Sequence, residues 1–245
     1  MRKQHISLKD TGRFSQLICD YLIEKKSLKK FYGYYPNLEN TRIQMELKKD
    51  HYSKQSRIVL VKALNSQYAK MTPEKAVIKN LKLLANENTF TVTTGHQLCL
   101  MTGPLYFIYK IIGTINLCKK LKLKYPKSEF IPVYWMASED HDFEEINSFN
   151  FQEKKIQWKR NSAGAVGDFP LNDLQEALDI FETNLGNNPE VSFIKELLEK
   201  SYRKAVNLSE ATFKLVDQLF GSYGLIVLEP NQKVLKSLFS PIIKD

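Results

Sequence analysis

Residues 89–110 read TFTVTTGHQLCLMTGPLYFIYK. The first six residues are β-branched or aromatic and predict a strand. GHQLCLM follows as a loop, and Thr102 is expected to cap a long helix with Pro104 near its start. Tyr106, Ile108, Ile111, Ile112, Ile115 and Leu117 continue that helix until Tyr125-Pro126 stops it. FIPVYWMA (130–137) is then a continuous apolar run, as expected of a strand buried on both faces, with Trp135 read as core. Strand, helix and strand within about fifty residues make a βαβ unit, whose default is a right-handed crossover between parallel strands.

The flanking sequence extends this α/β reading. Residues 1–88 read as a helical segment packing on the core. Within 13–26, Phe14, Leu17, Ile18, Tyr21, Leu22 and Ile23 fall on one helical face. FYGYYPNLEN breaks the pattern, a second helix is expected over 55–68, and Thr72 with Pro73 is expected to open a third that runs to about Asn86. Residues 89–160 hold the first half of the core and a hairpin at 147–160, with its turn at Glu-Lys-Lys. Residues 161–222 read as a helical connecting insertion. It begins with the loop SAGAVGDFP and continues as helices near 171–184, 189–206 and 209–221. Residues 223–245 return to the core with the strand GLIVLE (224–229), and Pro230-Asn231 opens a last helix toward Phe239. PIIKD is an abrupt place for a doubly wound sheet to end.

Composition narrows the function classes. The formal charge of +9 is mostly lysine scattered along helix faces such as KNLKLL and KKLKLK, a pattern of solvated surfaces rather than of a nucleic-acid interface. No apolar run approaches a membrane span, and MRKQHISLKDTGRF lacks the apolar stretch of a secretory signal, so a cytoplasmic protein is expected. Cys19, Cys99 and Cys118 form no CxxC pair; Cys19 and Cys118 read as packing residues, and Cys99 as a small buried side chain inside the opening loop. His5 and His51 read as surface residues.

Ligands of open parallel sheets bind outside the carboxyl ends of the strands. Two loops qualify. The first holds Gly95, His96, Gln97, Thr102, Gly103 and Pro104. Gly103 permits close backbone approach, and the N–H groups of a first helical turn favour an anion or carboxylate. Tyr106 and Lys110, four apart, share a helix face, and Lys110 can reach back toward the rim. Glycine, threonine and proline also mark any loop-to-helix entry, so this loop alone leaves both readings open. The second loop, Ser138-Glu139-Asp140-His141-Asp142, opens an acid-rich run whose carboxylates repel unless an amine, a lysine such as Lys110 or a metal compensates them. His141 between two aspartates suits general acid/base work, and Asn147 is expected to fix the loop; the plain alternative is a solvated acidic turn that caps the next element through Asp142 or Ser138. A metal is the rival use. Adjacent residues on one loop cannot all face one ion, however, and HExxH and HxH spacings are absent. P-loop, GxGxxG and GxSxG patterns are absent as well.

TGHQLCLMTGPLYFIYKI followed by IPVYWMASEDHDFEEIN resembles the bacillithiol biosynthesis cysteine-adding enzymes, and GLIVLEPNQKVLKSLFSPII resembles their later strand-helix step. The resemblance implies a Rossmann-like core related to class I nucleotidyltransferases. It implies a ligase that joins the carboxyl of L-cysteine to the amine of glucosaminyl malate, forming the amide of a low-molecular-weight thiol. ATP is the expected energy source by analogy, and a homodimer is an option for full-length relatives. Gly95, His96, Gln97, Thr102, Gly103 and Tyr106 would form a substrate cradle and Lys110 would offset charge. Glu139, Asp140, His141 and Asp142 would orient the amine and handle its proton. Position 96 departs from the family form, which has Gln where this chain has His. The likeness covers only the N-terminal half of such proteins, without the later strands and the coiled coil, which implies that the C-terminal part of the core is missing and a sheet edge exposed. An inactive remnant or a small-ligand-binding module is therefore the alternative.

Overall fold

The computed structural model describes residues 4–161, 163–186 and 188–244. The first three residues of the N-terminal stretch, Ser162 of the SAGAVGDFP loop, Asn187, and Asp245 of PIIKD lie outside the described residues. The chain divides into two compact units after His51.

The first unit holds α1 (Gln16–Leu22) and α2 (Thr41–His51). Ser15 caps α1 by accepting the Ile18 N–H at 3.4 Å. Tyr21, Tyr32 and Tyr35 form its aromatic cluster, with Tyr21 5.4 and 5.3 Å from the other two rings. The apolar face expected over 13–26 is not a buried one, since Phe14, Leu17, Ile18, Leu22 and Ile23 are all exposed. Helix α2 was not read from the sequence: TRIQMELKKDH carries only Ile43, Met45 and Leu47 as apolar residues among eleven.

The second unit is the α/β body. Helix α3 (Lys54–Tyr68) starts where the Ser53 hydroxyl accepts the Ser56 N–H at 3.0 Å. Helix α4 spans Lys75–Leu83 with Glu74 at its N-cap, so Thr72 and Pro73 precede the helix rather than open it. Strand β1 (Thr89–His96) pairs in parallel with β2 (Glu129–Met136), in register from Thr89 opposite Glu129 to His96 opposite Met136. Helix α5 (Tyr106–Lys124) makes the crossover. It packs on both strands and buries Phe107, Ile111, Ile115, Cys118 and Leu121. Full burial of each such aliphatic or aromatic side chain is worth about 1.5–3 kcal/mol. Thr102 does not cap this helix: its φ is +71°, and Leu105 occupies the N-cap without a side-chain bond.

The short helix α6 (Phe143–Ile146) leads into a hairpin of β3 (Ser148–Phe151) and β4 (Lys154–Gln157). Its turn is Gln152-Glu153, both at positive φ, so Lys154 and Lys155 lie in the strand and not in the turn. Helices α7 (Gln175–Asn184), α8 (Pro189–Leu198) and α9 (Leu208–Phe220) follow. Asn207 caps α9 by accepting the Glu210 N–H, and Glu210 accepts the Val206 N–H in return. Strand β5 (Ile226–Leu228) adds to β2 in parallel, giving the order β1-β2-β5, and α10 (Lys233–Lys236) and α11 (Ser240–Lys244) end the described chain.

This sheet places the ends of β1, β2 and β5 on one rim. The outer edge of β5 is not bare. The Val227 N–H donates to the Tyr68 hydroxyl at 2.8 Å, its carbonyl accepts from Gln67 Nε2 at 2.7 Å, and the Glu229 N–H donates to Gln67 Oε1 at 3.0 Å. Side chains of α3 thus occupy the ladder positions that a further strand would use. Trp135 corrects the expectation of a strand buried throughout: it is 43% exposed, at the carboxyl end of β2 beside Gly95.

Candidate functional site

Two loops meet at the rim. Gln97, just past β1, donates from Nε2 to Asp140 Oδ2 at 3.0 Å and to Glu145 Oε2 at 2.6 Å. One amide therefore joins the β1 loop to the acidic run after β2. Asp140 is further fixed by the N–H groups of His141 and Asp142, which donate to its Oδ1 at 2.7 and 3.1 Å. The bond from Gln97 and these two N–H groups hold its carboxyl below the usual carboxylate range. Asp142 accepts the Glu145 N–H at 3.2 Å and so caps α6. Asp140 and Asp142 thus spend acceptor capacity on shaping the loop, whereas the side chains of Glu139 and His141 remain available to a ligand.

The β1 loop is strained in a specific way. Met101, Thr102 and Gly103 all have positive φ, and a β-branched residue such as Thr102 is rare there. Gly103 is obligatory: a Cβ at that position would come within 2.5 Å of Cys99 Cβ. The run brings the chain to the start of α5, where the N–H groups of Leu105 and Tyr106 find no backbone acceptor among the described residues. Lys110 reaches back one turn, as its spacing suggested. Its Nζ donates to the Gly95 carbonyl at 2.6 Å and lies 5.5 Å over the Tyr106 ring.

His96 is 8% exposed and packs against Tyr106 and Phe107, with ring centroids at 5.0 and 5.3 Å. Its Nδ1 lies 3.0 Å from the Gln97 carbonyl, which can only accept, so Nδ1 carries the proton of the neutral ring. Nε2 is buried and has no partner among the described residues. Burial, and secondarily the charge of Lys110, pushes the imidazole below its ordinary value. Cys99 Sγ sits 3.8 Å from His96 Nδ1, and burial followed by the negative charge of Glu145 raises the thiol. That environment suppresses the thiolate and suits a packing role. Cys118 is likewise pushed up to about 12 by burial.

The insertion after the hairpin contributes what sequence reading missed. The Val166 N–H donates to the Asp140 carbonyl at 2.8 Å and the Gly167 N–H to the Ser138 carbonyl at 2.9 Å. Tyr202, fully buried, accepts the Met101 N–H at 3.1 Å. Residues read as a connection therefore clamp both rim loops. Asn147 is buried 5 residues beyond Asp142; its Nδ2 lies 3.4 Å from Glu144 and its carbonyl accepts the Trp158 N–H at 2.7 Å. Beside α6 an open groove of about 700 Å³ is lined by His141, Asp142, Phe143, Glu144, Arg160 and Asn161. Glu229, one residue past β5, accepts from the Ser138 hydroxyl and extends the rim to the third strand. In the sequence Glu229 was read only as the last residue of the strand GLIVLE.

No group of three or more metal-ligating side chains converges among the described residues, and no helix among them is long and apolar enough to cross a membrane. Comparison with known proteins gives the family. Over residues 1–245 the chain matches the family described as Bacillithiol biosynthesis BshC, N-terminal Rossmann-like domain. Proteins named "Putative cysteine ligase BshC" from Flavobacterium psychrophilum and Flavobacterium johnsoniae are each 48% identical over 98% of this chain and 45% of their own length. A protein of the same name from Bacillus thuringiensis is 30% identical over 100% of this chain and 46% of its own. The chain thus spans about half the length of the curated relatives it matches. It belongs to the bacillithiol biosynthesis BshC family, matched over the N-terminal Rossmann-like domain of that family.

Proposed function

We propose that this rim binds the substrates of a ligase that joins L-cysteine to glucosaminyl malate through an amide bond. The observation that carries the reading is the pair of hydrogen bonds from Gln97 Nε2 to Asp140 and Glu145, which makes one site of two loops at adjacent parallel strand ends. The names of the relatives support cysteine as a substrate.

Amide formation needs an activated carboxyl and an amine in its free-base form. In this reading Gly95, His96, Gln97, Thr102, Gly103 and Tyr106 form the cradle. The open N–H groups at the start of α5 receive a carboxylate. Glu139 and His141 orient the amine and take its proton as it attacks the carboxyl. Asp140 and Asp142 hold the loop in shape for them, Asn147 supports the loop from behind, and Lys110 balances charge next to Gly95. ATP is proposed as the source of carboxyl activation. Lys110 and, in the groove beside α6, Arg160 stand against Glu139, Asp140, Asp142, Glu144, Glu145 and Glu229, a surplus of carboxylates that does not suit a triphosphate.

The test is a mass-spectrometric assay for the cysteine–glucosaminyl malate amide. It uses this chain joined to the second half of a full-length relative, with and without ATP. Product only with ATP supports the proposal. Binding of either substrate without product would instead favour a ligand-binding module.

A further inference from the structure

The carboxylate of Glu229 is hydrogen-bonded at one oxygen and, among the described residues, unpartnered at the other. Oε1 accepts from the Ser138 hydroxyl and from the Asn231 N–H at 2.8 Å. The Glu229 N–H is tied to Gln67 Oε1 at 3.0 Å, and its carbonyl accepts from Gln232 Nε2 at 3.0 Å. Backbone and side chain are therefore both fixed. Oε2 is buried and has no hydrogen-bond partner among the described residues. A buried polar atom in that state carries a desolvation cost that a ligand donor would remove.

Among the described residues none supplies that donor. Ser138 is 1% exposed, and its single hydroxyl proton lies between two carboxylates, since Glu139 Oε2 is 3.5 Å from the same oxygen. Among the described residues no lysine or arginine forms an ion pair with Glu139 or Glu229. Glu229 also stands where ligands of parallel sheets bind, one residue past the carboxyl end of β5 and joined to the end of β2. Of the other rim acids, Asp140 is committed to Gln97 and two N–H groups, Asp142 to the start of α6, and Glu145 to Gln97.

We propose that Glu229 is a further substrate-binding residue, whose Oε2 accepts an N–H from a primary ammonium group on a substrate. This rests on the ligase reading above, which offers two such groups: the α-ammonium of cysteine and the amine of the sugar. The substitution Glu229→Gln is nearly isosteric. Its amide oxygen can keep the bonds from Ser138 and Asn231, which places the NH₂ group where the open acceptor was.

The experiment is calorimetric titration of the 245-residue chain, wild type and Glu229→Gln, with two ligand pairs. One pair is L-cysteine against mercaptopropionate, which lacks the α-ammonium. The other is glucosaminyl malate against its N-acetyl derivative. Wild type is expected to prefer the free ammonium by about tenfold or more in one pair, and Glu229→Gln to lose that preference, as the loss of a charge-assisted bond requires. The pair that responds identifies the source. Glu229→Asp keeps the charge but shortens the reach; it is expected to weaken the same pair and stands in if the amide variant does not fold. A preference unchanged in a folded variant overturns the role of Glu229 and leaves the ligase reading intact. Wild-type chain that binds neither pair overturns both.

Discussion

Gln97 Nε2 stands 3.0 Å from Asp140 Oδ2 and 2.6 Å from Glu145 Oε2, so one neutral amide holds together two acids from the neighbouring loop. Without it the two carboxylates have no shared donor. Gln97→Leu is expected to destabilise the second unit by about 1.5–3 kcal/mol at neutral pH, the usual range for hydrogen bonds to charged groups. The folded-state value of Asp140 is depressed, so its contribution is present above the unfolded value and is lost as pH falls through the folded one. Thermal melts of wild type and variant should converge toward acid. A gap that stays constant down to about pH 3, below the ordinary carboxylate range, would contradict this role.

Tyr202 couples the helical insertion to the β1 loop. Tyr202→Phe removes the acceptor of the Met101 N–H while keeping the ring, and is expected to cost about 1–2 kcal/mol. Hydrogen exchange should report the change locally, with faster exchange at Met101 and Gly103. Unaltered exchange there would mean that the left-handed run holds itself.

Asp217 lies in a different part of the unit. It is nearly buried on α9, its Oδ1 has no partner among the described residues, and burial followed by the charge of Glu74 pushes its carboxyl up to about 6. A raised acid gives its full stability below its unfolded value and loses it as pH rises through the folded one. Asp217→Asn is therefore expected to stabilise the protein by about 2 kcal/mol near pH 7.5 and to give no advantage below about pH 4. Denaturant titrations at the two pH values check this, and a variant less stable than wild type at the higher pH would contradict it.

Tyr68 and Gln67 cover the edge of β5. Tyr68→Phe leaves the buried Val227 N–H without its acceptor and is expected to cost about 1–3 kcal/mol. Gln67→Ala with Tyr68→Phe should also raise aggregation on mild heating, measured by light scattering, because it uncovers a strand edge. Equal scattering would show that α3 is not what protects the edge.

The βαβ unit was legible because its signals were local. TFTVTT and FIPVYWMA have strand composition, and the apolar residues of α5 recur at helical spacing. Both rim loops were found for the same reason, since each directly follows a strand. What sequence could not show was contact across long separations. Gln97 to Asp140, Tyr202 to Met101 and Glu229 to Ser138 join residues from 43 to 101 positions apart. Local errors had local causes. Thr102 has the chemistry of a cap but is held in a left-handed conformation, and Trp135 lies near the end of its strand, at the rim, where it is exposed.

The central claim is that the loops after β1 and β2 form one substrate rim in which Glu139 and His141 meet the amine. Its most direct test is turnover of L-cysteine and glucosaminyl malate, followed by mass spectrometry, in the chain completed with the second half of a relative. Glu139→Gln and His141→Ala are each expected to lower the rate by about a hundredfold, the lower end for a positioned acid or base. Asp140→Ala is expected to lower both rate and stability. Turnover unchanged in Glu139→Gln and His141→Ala would contradict the account.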